Sequence, residues 1–423
     1  MTTPSEMASR YRHNFWCLTL DFCFFGIAMS FIGPSTVVPG LLTELGASAF
    51  IIGFVSTLQR AGWLLPQLLA ARYLADKPYK KPYVILPSAL SRPLFLVLAG
   101  VTWGFSARST KLTIALFLPL YVLFWIGDGL SSLSWFELLS KAIPPKRRGR
   151  LTGVGQTLSG IFGFLAGIAV EWMLSEKGFA FPNNYASLFL TGFGLLALSF
   201  LSISFIDEPD GQSGKIVPRW RDFIPQLGHV LKHNRIFRRY IIARQFFNLN
   251  FLATPFYITH ALETLQLPSQ VVGRYTSIGV VGAVLAALLF GWINERQGTK
   301  CAMGISTLVT AAVPLTAILI PHLSGNSPWL AWTYGGVFFV LNASTSSMLP
   351  AWMAFLLELA PEAERPVYVG LTNTINGITT LFSTIGGLIL QWTHSNYGFL
   401  FLITAAGTLL ALPILINLPD PRK

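Results

Sequence analysis

Charge is what this sequence has least of. Only 11% of its 423 residues are Asp, Glu, Lys or Arg, less than half the share of a soluble domain. With 52% of residues in the hydrophobic set and a mean hydropathy of +0.56, that scarcity excludes a soluble globular protein, a disordered chain and a coiled coil. Cysteine is scarce too. Cys17, Cys23 and Cys301 are too few for a disulfide framework, and no metal-ligand spacing joins them. No G-x-x-x-x-G-K-[ST] loop is present, so the chain is not expected to hydrolyse ATP. No cofactor and no catalytic cluster are expected. The net charge of +12 would suit nucleic acid in a soluble protein, but in so apolar a chain it suits basic loops facing anionic lipid.

Long apolar runs are what the sequence does have. A spanning helix needs about 20 mainly apolar residues, and twelve stretches qualify: 15–40, 49–74, 83–105, 112–138, 152–174, 185–206, 239–263, 271–293, 302–322, 329–357, 367–391 and 397–418. The first run is too long for a cleavable signal peptide and holds Asp21 inside. The longest connection, 207–238, divides the spans six and six. This predicts an all-α integral membrane protein with bundles at 1–206 and 239–423 and a loop at 207–238 between them. Lysine and arginine counts set the orientation. With the N-terminus inside, 23 of the 30 fall on inner loops and span ends and 4 on outer ones. Both termini are therefore expected in the cytoplasm. Within the central loop, Ile224, Leu227 and Leu231 are spaced like one apolar face of a short helix that would lie on the inner leaflet. A solvated linker is the alternative.

The halves repeat. Trp135, Pro144, Arg148, Gly153 and Gly160 recur 217 residues later as Trp352, Pro361, Arg365, Gly370 and Gly377. A duplicated six-span unit is characteristic of many secondary transporters. The loop after the eighth run carries Gly291, Glu295, Arg296, Gly298 and Lys300; the matching loop after the second carries Asp76, Lys77, Lys80 and Lys81 but neither glycine. Such an acid at a helix end can pair with a base and with a neighbouring helix N-terminus, holding one conformation and releasing in another. These loops, the repeat and the span count resemble the major facilitator superfamily along the whole chain. The resemblance implies two pseudo-symmetric six-helix bundles, alternating access, and a cavity lined by spans 1, 4, 7 and 10, with spans 3, 6, 9 and 12 outward. Spans 6, 9 and 12 contain no Asp, Glu, Lys or Arg, as that layout requires. Drug–proton antiporters of the superfamily carry an arginine before a glycine pair in span 4 and a Gly-Pro-Gly-Gly cluster in span 5. Here Gly127 and Gly129 flank Asp128 with no arginine, and span 5 has glycines but no proline.

Charges inside spans are costly and mark function or pairing. Asp21 and Asp128 are the candidates for proton or ion coupling; a permanent ion pair, with Arg60 within reach of Asp21, is the competing role. Asp128, Ser131 and Trp135 share one helical face. Arg244 and Asn248 lie one turn apart on span 7. Asn342 on span 10, and Asn373 and Asn376 on span 11, complete the candidate substrate-contacting set, against the commoner role of such side chains in helix packing. Arg92, on outward span 3, is expected to stabilise packing or to meet an anionic substrate if that span is rotated. His260 is expected to be solvated or packed rather than to relay protons. Pro34, Pro39, Pro66, Pro87, Pro255, Pro314 and Pro350 are expected to kink spans.

The expected function is movement of a small solute by alternating access, coupled to a proton or ion gradient, by a monomer in a cytoplasmic, bacterial inner membrane. A transport-inactive receptor or scaffold, or a lipid-modifying enzyme, are the rival classes. Single cysteines placed in 207–238 should resist an impermeant maleimide applied outside intact cells and react after permeabilisation. Labelling from outside would reverse the orientation.

Overall fold

The computed structural model describes residues 4–75, 77–209, 231–232, 234–325, 327–361 and 364–420. Among them the regular structure is helical and no strand occurs. Nine helical stretches are long and apolar enough to cross a membrane: Ser9–Glu44, Lys81–Phe105, Thr110–Ala142, Pro145–Met173, Asn183–Ser204, Val271–Gln297, Thr299–Ser324, Leu330–Leu359 and Tyr397–Ile416. The other three expected spans are also helical, as Ala49–Ala75, Arg235–Thr264 and Arg365–Trp392, but each is more polar or more broken. The first carries Arg60. The second carries Arg244 and changes from α-helix through a 3-10 turn to a π-helical end around Pro255. The third breaks between Thr379 and Phe382. Residues 220–230 of the expected amphipathic segment lie outside the described residues.

Contacts divide the chain into two units, Met1–Leu41 with Leu58–Val217, and Leu42–Thr57 with Pro218–Lys423. Segment 42–57 joins the second because the Thr57 hydroxyl donates to the Thr380 carbonyl at 2.7 Å and accepts from the Thr384 hydroxyl at 2.7 Å.

Neighbour relations repeat from unit to unit. In the first, Pro4–Ile32 packs on Pro145–Met173 and Asn183–Ser204, and Lys81–Ser91 and Leu94–Phe105 pack on Thr110–Ala142. In the second, Arg235–Asn248 packs on Arg365–Thr379, Tyr397–Leu409 and Ala411–Ile416, while Thr299–Ser324 packs on Gly335–Met348. Two glycines bring helices together at matching places. Gly129 lies against the Trp63 backbone and Gly282 against the Phe339 backbone, so closely that a Cβ on either would collide with a carbonyl. Each unit buries its own core, around Phe15, Leu18, Leu138 and Ile203 in one and Tyr240, Phe247, Trp352 and Phe355 in the other. Leu86, Leu90, Trp103, Leu288, Leu323 and Trp392 are exposed, as suits helices whose solvent is hydrocarbon.

Of the prolines expected to kink spans, Pro66, Pro87 and Pro314 lie in the interior of α-helices, and two local irregularities adjoin site residues. The third expected span breaks at Arg92–Pro93, because Pro93 has no N–H to continue the ladder. A π-helical turn, Leu349–Met353, contains Pro350 and sets the direction of Trp352.

Gly129→Val and Gly282→Val should each lower the melting temperature in detergent, costing about 1–3 kcal/mol through overpacking. Gly100→Val, with open space around its Cβ, should not. An unshifted Gly129→Val would contradict the close approach.

Candidate functional site

Each unit holds a buried charged centre. In the first, the Asp21 carboxylate accepts from the Trp135 indole N–H at 2.7 Å and from the Ser199 hydroxyl. The Arg92 guanidinium lies 3.6 Å from the same carboxylate and donates to the Leu196 carbonyl at 3.0 Å. Arg92 also faces Asp128 electrostatically, and Asp128 bonds to Trp63. Asp21 is 4%, Arg92 8% and Asp128 9% exposed, so water screens none of them. The guanidinium thus pairs with Asp21 and lies within electrostatic range of Asp128, and four helical stretches of the unit supply the main groups.

This arrangement corrects one expectation. The arginine that reaches Asp21 is Arg92, not Arg60. Arg60 is half-buried on Ala49–Ala75 and has interactions of its own. Arg92 lies at the junction of Lys81–Ser91 and Leu94–Phe105, and its side chain is buried inside the unit. Ser199 was missed altogether; a lone serine in an apolar run gives no signal until its neighbours are known.

In the second unit, Arg244 is 7% exposed, and its guanidinium carbon lies 5.1 Å from the ring centroids of both Phe247 and Trp352. One turn on, the Asn248 amide donates to Asn376 at 3.1 Å, and Gln245 donates to the same Asn376 oxygen at 3.2 Å. Asn376, rather than the half-buried Asn373 on the same helix, is the residue that meets span 7. Asn342 donates to the Phe338 carbonyl of its own helix at 3.0 Å and lies against Gly279, which is a packing role. His260 is buried, bonded to the Tyr334 hydroxyl at 2.9 Å and packed among Tyr397 and Phe401; it is packed rather than solvated.

The loop residues are organised around an acid that the sequence reading passed over. Glu208 accepts from the backbone N–H groups of Lys80, at 2.7 Å, and Lys81, at 2.8 Å, and pairs with Lys141. A carboxylate at a helix N-terminus meets both unpaired N–H groups and the helix dipole. The Lys81 ammonium donates to the Ile206 carbonyl at 2.8 Å, and Lys77 stands over the Tyr73 ring. Asp76 lies outside the described residues. In the second unit, Gly298 has φ +89°, a conformation that suits glycine, and ends the helix that carries Gly291 and Glu295, which is exposed. Arg296 stacks near Trp292. Lys300 donates to the carbonyls of Ile416, at 3.0 Å, and Leu418, capping the last helix. Glu358 accepts from the Thr299 hydroxyl at 2.6 Å. Among the described residues no group of His, Cys, Asp and Glu is placed to hold a metal ion.

The profile of the Major Facilitator Superfamily matches residues 20–384 and 246–423. Uncharacterized proteins of Mycobacterium bovis and Mycobacterium tuberculosis are 22% identical over 374 residues, 86% of this chain. The chain spans 66% of the length of these curated relatives. Among solved structures, a D-xylose–proton symporter superposes with a TM-score of 0.72 at 17% identity, covering 97% of this chain and 98% of that one. A point mutant of the nucleoside transporter NupG gives 0.69 at 15%, covering 97% and 99%. The xylose transporter XylE of E. coli, in an inward-open conformation, gives 0.68 at 16%, covering 96% of each chain. At such identities the likeness shows the fold.

Arg92→Leu should reduce folded yield and melting temperature, since a buried carboxylate that loses its partner costs about 3–5 kcal/mol. Adding Asp21→Asn should recover part of that loss. Additive losses in the double variant would mean that the two residues do not pair.

Proposed function

Because the chain belongs to the major facilitator superfamily, we propose that it is a secondary active transporter. It moves a small solute across a bacterial cytoplasmic membrane by alternating access, with protons as the coupling ion. Twelve spans, with both termini in the cytoplasm, complete the reading. The three polar helical stretches beyond the nine apolar ones support that count, and the Lys and Arg asymmetry supports that orientation.

The observation that carries proton coupling is the charge count around Arg92. With Asp21 and Asp128 both ionised the cluster is −1; with one proton it is neutral. In a low-dielectric bundle that single charge is the largest electrostatic difference the unit can switch. A proton bound to either acid weakens that acid's hold on Arg92. The helices that carry the three groups then have a reason to shift. The Asp21 oxygens are held by Trp135 and Ser199 as well, so Asp21 is the fixed member and Asp128 the one freer to exchange. Glu208 supports a second part of the mechanism: it ties the ends of three helical stretches within one unit, so that the unit can move as a body.

The solved structure that is named for moving xylose with protons gives this reading its precedent in the fold, and the charge cluster gives it a mechanism in this chain. In proteoliposomes with an inward proton gradient, screened with sugars, nucleosides, short peptides and organic anions, wild-type protein should concentrate at least one solute. Asp128→Asn should keep solute exchange at equal pH on both sides and lose gradient-driven accumulation. Full accumulation by that variant would rule out Asp128 as the coupling group. No flux from any solute under any gradient would remove the transport reading.

A further inference from the structure

The two repeat tryptophans have opposite surroundings. The Trp135 indole N–H is met by a carboxylate of its own chain, Asp21, at 2.7 Å. Its counterpart, Trp352, is fully buried, and its indole N–H has no acceptor. Where the first unit sets an acid on its leading helix, the second sets a base, Arg244, 5.1 Å from the Trp352 ring. Arg244 is 93% buried by its 7% exposure, and neither its Nε nor its Nη1 has an acceptor. The Trp352 and Phe247 faces balance part of the positive charge, but π faces leave the N–H donors unmet. Two acids of the same unit are engaged elsewhere. Glu263 accepts from the Tyr397 hydroxyl and Glu358 from Thr299, and among the described residues no ion pair reaches Arg244.

A guanidinium and an indole N–H, both buried and both without acceptors, lack one thing between them, an anionic oxygen group. We propose that Arg244 and Trp352 form the anion-binding point of the second unit, taking a carboxylate or phosphate of the transported solute. The ligand's anion would meet Trp352 as Asp21 meets Trp135. The unmet Nε and Nη1 donors of Arg244 lie on different edges of the guanidinium, and either can give a charge-assisted hydrogen bond to such a group. The Asn248 oxygen, also without a donor, lies one turn along the same helix and suits a hydroxyl or amide neighbouring the anion on the solute. The substrate part of this inference rests on the transporter reading. The anion site itself does not.

Thermal shift of purified protein in neutral detergent tests the site, at constant ionic strength. Succinate, inorganic phosphate and phenyl phosphate are the probes; succinamide and phenol are the neutral controls. The anions should raise the melting temperature and the neutral compounds should not. Arg244→Gln should weaken the apparent affinity about 10–100-fold, the loss expected for charge-assisted hydrogen bonds, and Trp352→Phe about 3–10-fold. Arg274→Gln, another arginine stacked on a tryptophan, Trp332, should keep the response. Size-exclusion profiles establish that each variant is folded. An equal response in Arg244→Gln, or from the neutral controls, would overturn the site. Stabilisation only by phosphatidylglycerol in mixed micelles, lost in Arg244→Gln, would place a lipid headgroup there and overturn the substrate role. Counterflow of labelled succinate and phosphate in proteoliposomes separates the two readings. Binding that depends on Arg244 without any counterflow sinks transport and leaves the anion site. Counterflow of neutral solutes alone, unchanged in Arg244→Gln, sinks the anion site and leaves transport.

Discussion

A charge inside a lipid-immersed bundle has to be met on the spot, because neither water nor lipid will meet it. The contact between Asp21 and Arg92 is where this chain answers that requirement, and much of the first unit is arranged to make it. The third span carries Arg92 beside Pro93, with the guanidinium buried. Ser199 and Trp135 approach from two other helices to fill the remaining acceptor positions of Asp21. Removing Arg92 strands Asp21, whereas neutralising one of the two carboxylates leaves a balanced cluster. On the proposed mechanism, that difference is what a proton would switch.

The second unit is built on the same neighbours and answers the constraint differently. Its leading helix carries a base rather than an acid, and the base is met by aromatic faces and not by a carboxylate of the chain. Opposite charges at matching places give the two units separate tasks in the proposed mechanism: the first would exchange a proton and the second would take an anionic partner from outside.

Much of the architecture was legible in the sequence. Apolar length marked the helices, and the 217-residue register between Trp135 and Trp352 marked the repeat before any contact was known. Scarcity of charge made Asp21, Arg92, Asp128 and Arg244 conspicuous. Their partners were not legible, because the pairing of side chains on different helices depends on the rotation of each helix about its axis. Periodicity does not fix that rotation once a span is apolar all round. Arg92 is the instructive case: it lies on a span expected to face outward, yet it is the arginine that meets Asp21. Glu208 was hidden for another reason. It sits in a connection whose composition reads as solvated linker, while its role comes from two backbone N–H groups 127 and 128 residues earlier in the chain. Asn342 is the reverse case, a polar residue on an expected cavity helix that bonds to its own helix and lies against Gly279.

The central claim is that two buried carboxylates sharing one arginine hold a single exchangeable proton. Infrared difference spectroscopy of the purified protein, titrated around neutral pH where exposed carboxyls stay ionised, reads this directly through the carbonyl stretch of a protonated carboxyl. Wild-type protein should show one such band that grows with acid and shifts in deuterium oxide, and Asp128→Asn should lack it. A spectrum with no titrating carboxyl band, or one unchanged in Asp128→Asn, would contradict the account.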